Sequence, residues 1–382
     1  MLNSEIIPVV LTTDKKFIPY TCVTLYSIAY NSNADKRYEV IIFYDDEIDL
    51  NNQMKFNFVL KDYSNFNLRI INIKKYFENY CLKSNLEHVS NATFYRYVIP
   101  DVLPEYDKVV YLDTDLVVNA DVSELFEYDL GNNYFAACCD NILRQQISLA
   151  KADVKGYMQF YEYFKKLGFE NVMDDYFNAG VMVFNSKLMK EDNLSQKMLE
   201  NAQNNNYKNS GQDPMNVCAK DRVKFIPLNW NTMTWEPVEG SLKFLSQKYY
   251  NEYMDAVKNP KIIHYAAYIK PWFYLDSFLS EYFWKYARMT PFYENIIQLG
   301  YKFVLDSAKI DIYEKINILN NDFKNNINNI LFYLKKFKQI KQRYFKYRIL
   351  SSLTYGKLRQ KYKEKRIKNK ELYIHLKKYI GV

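Results

Sequence analysis

Val109-Val110-Tyr111-Leu112-Asp113-Thr114-Asp115 is the stretch on which the reading of this chain turns. Four apolar residues make a short buried strand, and two aspartates spaced by one residue follow it. In extended backbone the side chains at i and i+2 leave on the same side, so Asp113 and Asp115 can offer oxygens to one hard divalent cation. An Asp-x-Asp taken alone is more often a solvated loop, or here a prelude to the helix cap near Asp121-Val122-Ser123-Glu124. The flanking sequence has to decide.

Working outward, Ile6 to Thr12 is a β-branched apolar run that predicts a buried first strand, then a turn at Asp14-Lys15-Lys16 and a helix from about Tyr20 to Asn31. Tyr38 to Tyr44 and Leu68 to Ile73 predict two more strands with a helical segment between. A helix over Ala92 to Ile99, ended by Pro100, leads into the Val109 strand. This alternation implies βαβ units and a mostly parallel sheet, an α/β fold. Further strands are expected at Tyr134 to Cys139, Val181 to Phe184, Val223 to Ile226 and Ile262 to Tyr265, with helices at Leu188 to Ala202 and Met215 to Ala219. From Pro271 to about Phe323 the pattern is helical and aromatic. An open α/β sheet binds ligands beyond the carboxyl ends of its strands, which directs attention to the residues after strands one and four.

The 382 residues, 48% hydrophobic and 25% charged with only 9 Gly and 10 Pro, exclude collagen-like and wholly disordered chains. The first residues lack the basic and apolar regions of a secretion signal, and no run approaches ~18 apolar residues, so a cytosolic protein is expected. Five cysteines without a C-x-x-C pair argue against a disulfide framework or a thiolate zinc site and read as reduced packing residues. The 37 tyrosines amid many lysines reflect a bias spread over the chain, and no nucleic-acid partner is expected.

Charge is unevenly distributed. Residues 331–382 hold 17 Lys+Arg against 2 Asp+Glu, a net of +15, which leaves −7 on residues 1–330 of a chain whose total is +8. From Leu331 to Leu353, apolar residues recur at three- and four-residue steps between lysines and arginines, the pattern of a basic amphipathic helix. Such a helix can lie on an anionic membrane surface, or it can pack on the body with a solvated basic face. Lys361 to Lys370 is too charged for a core and is expected to fray.

The context of the aspartates is distinctive. Glu87-His88-Val89-Ser90-Asn91-Ala92-Thr93-Phe94-Tyr95-Arg96 and Ile99-Pro100-Asp101-Val102-Leu103-Pro104-Glu105-Tyr106-Asp107-Lys108 lead directly into the strand. In order there also stand Thr12-Thr13-Asp14, Asp140 after Cys138-Cys139, Phe177-Asn178-Ala179-Gly180-Val181-Met182-Val183-Phe184-Asn185, Gln212-Asp213 ahead of Asn216, His264-Tyr265 and Lys270-Pro271-Trp272. As an ordered set over about residues 5 to 275, these resemble the family 8 glycosyltransferases, the group of glycogenin and the bacterial lipopolysaccharide galactosyl- and glucosyltransferases.

The resemblance implies a Rossmann-like GT-A domain over 1–275, a helical part packed on it over 276–330, and the basic tail over 331–382. It implies a retaining hexosyltransferase that takes a hexose from UDP-glucose or UDP-galactose, in lipopolysaccharide or other surface-glycan synthesis. Mn²⁺, with Mg²⁺ as the alternative, would be held by Asp113, Asp115 and His264, a mixed O/N set that suits Mn²⁺ better than Ca²⁺. Thr12, Asp14, Phe17 and Thr114 would join them in the donor site. Phe17 stands where the family often has a stacking Tyr. Arg96 would lie near the donor phosphate and sugar, Lys270 would assist the diphosphate leaving group, and Asp140, Asn178 and Gln212 would read the sugar hydroxyls. His88 would face the acceptor.

Among these, Gln212, Lys270, Arg96 and Asn178 are the catalytic candidates. Two positions bear on the family pattern: Ala267 stands where Gly is common, and Gly211, where relatives carry Asp or Gly, lacks the carboxylate that some of them place near the sugar. A neutral amide at Gln212 is a poor nucleophile, which favours front-face substitution, with Asp175 or Asp213 as the alternative covalent nucleophile. The acceptor is a saccharide, lipid-linked at the inner face of the cell membrane if the tail binds there, otherwise a soluble glycan or protein. The rival reading is an inactive domain whose tail serves as a membrane-binding module.

Overall fold

The computed structural model describes residues 5–45, 48–82, 91–236, 239–322, 327–354 and 356–379. The chain divides into two compact units, one of Met1–Tyr268 with Lys285–Phe292 and one of Ile269–Trp284 with Tyr293–Val382.

In the first unit the strands are β1 (Ile6–Thr12), β2 (Arg37–Tyr44), β3 (Phe66–Asn72), β4 (Val109–Leu112), β5 (Leu116–Val118), β6 (Phe135–Cys139), β7 (Phe177–Phe184), β8 (Val223–Phe225), β9 (Thr232–Met233) and β10 (Ile262–His264). Seven form one sheet in the order β3-β2-β1-β4-β7-β6-β8. β1 runs parallel to β2 and β4, β2 to β3, and β6 to β8, whereas β7 is antiparallel to both its neighbours. The central strands are covered on both faces and therefore read as unbroken apolar runs: all four residues of β4 and all eight of β7 are buried. Each fully buried Val, Leu or Phe contributes about 1.5–3 kcal/mol. This is the GT-A architecture, α/β with a mostly parallel central sheet.

The second sheet, β5-β10-β9, contains the strand expected at Ile262 to Tyr265, here β10, but its partners β5 and β9, of three and two residues, were not foreseen, so neither was the sheet. β5 follows the Asp-x-Asp directly, and the helix Ile18–Tyr30 fastens it. Thr24 Oγ1 donates to the carbonyls of Thr114 at 3.2 Å and Leu116 at 2.7 Å, and Ser27 Oγ accepts from Val118 N at 2.9 Å.

Other expectations need correction. Asn91–Val98 is a 3-10 helix, and Pro100 does not end it but sits in the first turn of a short α-helix, Ile99–Val102, where a missing N–H costs nothing. The single helix read over Leu188 to Ala202 is two, Ser186–Glu191 and Leu194–Asn204, separated by Asn193 in the left-handed conformation. The five cysteines form no disulfide; Cys22, Cys138 and Cys139 are buried, Cys218 is half-buried and Cys81 is exposed.

The second unit is helical. Its long helices are Tyr293–Asp322, Ile327–Leu353 and Gly356–Tyr379, and among the described residues no helix is long and apolar enough to cross a membrane. Lys361 to Lys370, expected to fray, lies inside the last of these. Arg359, Tyr362, Arg366, Asn369 and Tyr373 recur at three- and four-residue steps and are its half-buried face. Tyr373 stacks on Phe337 with ring centroids 5.0 Å apart, Tyr362 lies 6.1 Å from Tyr347, and Arg366 reaches Asp276, which also pairs with Arg348. Most of the charge faces water, and aromatic residues together with Arg366 hold the helix.

The same pairing turns part of the predicted amphipathic stripe inward, since Phe337 and Ile340 are buried against Tyr373. Phe337→Ala should therefore loosen the last helix by about 3 kcal/mol. Hydrogen exchange should register faster amide exchange over Gly356–Tyr379 and none of the change in β1 or β4.

Candidate active site

Pairing in the two sheets gathers the site. β4 ends at Leu112, and the next residue, Asp113, donates its N–H to Gly180 O on β7 at 2.8 Å. In the second sheet His264 is registered opposite Leu116, which carries it to Asp115, and Tyr265 N donates to Asp115 O at 3.0 Å. His264 Nε2 lies 3.1 Å from Asp115 Oδ1 and 3.9 Å from Asp113 Oδ2. One ligand atom from each of the three residues falls within 4.8 Å of the others. The imidazole is buried while both carboxylates are partly open to solvent.

Space for this convergence comes from Gly180. A Cβ there would stand 2.3 Å from His264 Cε1 and 2.9 Å from Asp113 Oδ2. Behind the cluster, Asp113 Oδ1 accepts from Tyr111 Oη at 2.6 Å and pairs with Arg96 Nη2 at 2.9 Å. Thr12 Oγ1 lies 3.0 Å from Tyr111 Oη, and since that hydroxyl gives its proton to Asp113, Thr12 is the donor.

Arg96 is buried, with its guanidinium 4.6 Å from the Tyr111 ring centroid and further bonds to the Thr93 and Ala179 carbonyls. Burial weighs against its charge, but the carboxylate of Asp113 and the neighbouring tyrosines outweigh it and hold the pKa above its ordinary value. Nη2 thus braces a carboxylate of the cluster, while Nε and Nη1 are held by main-chain carbonyls. Thr114 is buried and donates to Thr12 O at 3.2 Å.

A second group lies along β7. Asn178 Nδ2 donates to Asp140 Oδ2 and to Gln212 Oε1, both at 3.2 Å, and Gln212 Nε2 donates to Asp140 Oδ2 at 2.9 Å. Asp140 also caps the helix Asn141–Lys151, its Oδ1 accepting from Leu143 N at 2.9 Å. The two groups are joined by Asn231, which the sequence reading missed: its Oδ1 is 2.9 Å from His264 Nδ1 and its Nδ2 donates to Asn178 Oδ1 at 2.8 Å. Gly211 admits no side chain, because a Cβ would stand 1.9 Å from Thr93 Oγ1.

The remaining predicted residues are placed as follows. Asp14 closes the turn after β1, accepting from Lys16 N at 2.8 Å and Phe17 N at 3.0 Å, and the half-buried Phe17 meets Tyr20 edge-on. Lys270 belongs to the second unit, where its ammonium is 5.8 Å from the Trp272 ring centroid. Ala267 has φ +61°, a conformation suited to glycine, which accounts for the glycine common there in the family it resembles. His88 lies outside the described residues.

Gly180→Ala should abolish high-affinity binding of a divalent cation and also lower the unfolding midpoint by several degrees, since the added methyl strikes a buried imidazole. Titration calorimetry with Mn²⁺ and a thermal melt check both parts.

Comparison with known proteins agrees with this geometry. The sequence profile of glycosyl transferase family 8 matches residues 8–276. Glycosyltransferase GlyE of Streptococcus pneumoniae is 30% identical over 209 residues, 54% of this chain and 43% of that protein. The lipopolysaccharide 1,3-galactosyltransferase of Salmonella typhimurium is 24% identical over 292 residues, 73% of this chain and 77% of that one. The solved apo structure of the bifunctional glycosyltransferase WbbM superposes with a TM-score of 0.68 at 27% identity, covering 78% of this chain and 52% of that one. This chain thus spans about half the length of GlyE and WbbM. With the profile running from β1 past His264 and the ligand cluster at the end of β4, the chain belongs to glycosyl transferase family 8.

Proposed function

We propose that this protein is a retaining, Mn²⁺-dependent hexosyltransferase that moves glucose or galactose from its UDP-sugar to a saccharide acceptor in surface-glycan synthesis, lipopolysaccharide included. The observation that carries this reading is the convergence of Asp113, Asp115 and His264 within 4.8 Å, in the room left by Gly180. The donor set fits the ion: two carboxylates and one imidazole make a mixed hard and borderline set, partly exposed so that phosphate oxygens can complete the coordination. When bound, a divalent cation supplies Lewis-acid stabilisation of the departing diphosphate.

The chain's own residues do the rest. Arg96 and Tyr111 hold Asp113 aimed, Asp140, Asn178 and Gln212 orient the sugar, and Lys270 neutralises charge on the leaving group. Retention without a covalent intermediate is supported by the absence of an uncommitted carboxylate beside Gln212 among the described residues. Gln212 Oε1 already accepts from Ala179 N at 3.0 Å and from Asn178. Asp213 is fully buried, accepting from Tyr163 Oη at 2.5 Å and Asn209 N at 2.9 Å on one oxygen and from Tyr176 Oη on the other. Burial pushes its carboxyl above the ordinary range, against those donors. Asp175 is exposed, with Asp174, Asp221 and Lys220 as its charged neighbours. The leaving group's own face is then the route for the acceptor hydroxyl, by front-face substitution.

The tail would set the location, at the inner face of the cell membrane, with a lipid-linked acceptor. Because Phe337 and Ile340 are buried, the attraction rests on the exposed basic residues, Lys335, Lys336, Lys338, Arg343, Lys346 and Lys361 among them.

Hydrolysis of UDP-glucose, UDP-galactose and their N-acetylated forms, measured with and without Mn²⁺, tests the chemistry. Asp115→Asn should lower the Mn²⁺-dependent rate by about 100-fold or more, whereas Gln212→Ala should keep a measurable fraction. Wild-type metal dependence in Asp115→Asn, or a glycosyl adduct on Gln212 in the mass spectrum, would contradict the assignment. For the tail, a chain ending after residue 330 should leave anionic vesicles yet hydrolyse UDP-sugar at a rate close to the full chain's. Binding of the full chain should collapse as the Debye length shortens from about 8 Å at 0.15 M salt to about 3 Å at 1 M.

A further inference from the structure

We propose that Asn231 is a positioning residue that fixes the tautomer of His264, and that its own orientation is dictated from the far end of the site by Asp140 acting through Asn178. The inference rests on the metal reading only for its consequence, not for its geometry. An amide side chain can be turned end for end, so its orientation has to be argued from partners that cannot exchange roles.

Two such partners hold Asn178. The Gly180 backbone N–H can only donate, and it meets Asn178 Oδ1 at 3.0 Å. The Asp140 carboxylate accepts, and it meets Asn178 Nδ2 at 3.2 Å. Gln212 is held the same way, with Ala179 N donating to its Oε1 at 3.0 Å and Asp140 accepting from its Nε2 at 2.9 Å. With Asn178 Oδ1 fixed as an acceptor facing Asn231 at 2.8 Å, Asn231 must present Nδ2 to it. Its Oδ1 then faces His264 Nδ1 at 2.9 Å and can only accept. Nδ1 therefore carries a proton, and for a neutral ring Asn231 competes with the Asp115 carboxylate, 3.1 Å from Nε2, over which nitrogen keeps it. Asn231 and His264 are both buried, so water offers neither an easy alternative partner.

A neutral histidine side chain in water favours the proton on Nε2, the form that cannot ligate from that nitrogen. The row of amides opposes that preference, and with it the pull of the Asp115 carboxylate on an Nε2 proton, before any ion arrives. It also ties the residues proposed to read the sugar to the one proposed to hold the metal, since loss of Asn178 frees Asn231 to turn over.

The test begins on the full-length, metal-free protein labelled with ¹⁵N at histidine, at a pH where the rings are neutral. The chain has only three histidines, so the two-bond ¹⁵N–¹H spectrum contains three ring patterns, and His264→Gln identifies its own by disappearance. Wild type should show His264 protonated on Nδ1. Asn231→Ala and Asn178→Ala should each shift it toward the Nε2–H form, with near-UV circular dichroism unchanged. Asn231→Asp should keep the Nδ1–H form, because its carboxylate, ionised where the rings are neutral, can only accept from the ring. In parallel, Mn²⁺ titrations read by electron paramagnetic resonance should weaken about 10–100-fold in the two alanine variants and by far less in Asn231→Asp.

An Nε2–H ring in the wild-type protein overturns the proposal outright, as does an unchanged tautomer in Asn231→Ala. The expected tautomers in a protein that binds no Mn²⁺ would uphold the relay and defeat the metal reading instead.

Discussion

The site depends on a place where nothing can be added. Antiparallel pairing of β7 with β4 sets Gly180 beside Asp113, and the register of β10 on β5 brings His264 into the same volume. A single methyl group at residue 180 would stand 2.3 Å from the imidazole, so the cluster, the hydrogen bond from Asp113 to Gly180 O and the amide row behind His264 share one steric condition. A close-packed interior cannot relax around such a group without moving side chains off their rotamers. The buried Arg96 and Tyr111 then serve a fixed carboxylate rather than a mobile one.

Much of this was legible in the sequence where local chemistry and position coincide. The apolar run ending in Asp113 and Asp115 announced a strand end, and β1, β2 and β4 were read from β-branched periodicity within a residue or two. His264 was accessible because histidine is scarce in this chain and the residues around it match a family pattern. Asn231 was not. It lies 33 residues from His264 and 53 from Asn178, it ends a four-residue 3-10 helix, and asparagine is too common here to stand out. Only the tertiary pairing of the second sheet gives it meaning.

The tail was misread for a related reason. Charge density over Lys361 to Lys370 argues for a solvated segment if each residue is weighed alone. The decisive feature is the spacing of the few aromatic and long side chains, Tyr362, Arg366 and Tyr373, on one face of the helix. Lysine and arginine can lie along such a face with their stems packed and their charges in water, which lets a very basic helix be ordered without being apolar. Lys365 near the Tyr347 ring and Arg366 on Asp276 are instances.

The distribution of the thiols has a consequence for the chemical reactivity of the protein. Burial pushes the thiols of Cys22 and Cys138 far above their ordinary value, that of Cys139 up to about 12 and that of Cys218 to about 11. The thiolate is the reactive form, so protonation shields these four from oxidants and alkylating agents, and burial shields Cys22, Cys138 and Cys139 besides. Cys81 alone among the five is exposed. Mild oxidation or a maleimide reagent is thereby directed to a single position, just ahead of the segment that carries His88, without a substitution anywhere in the chain.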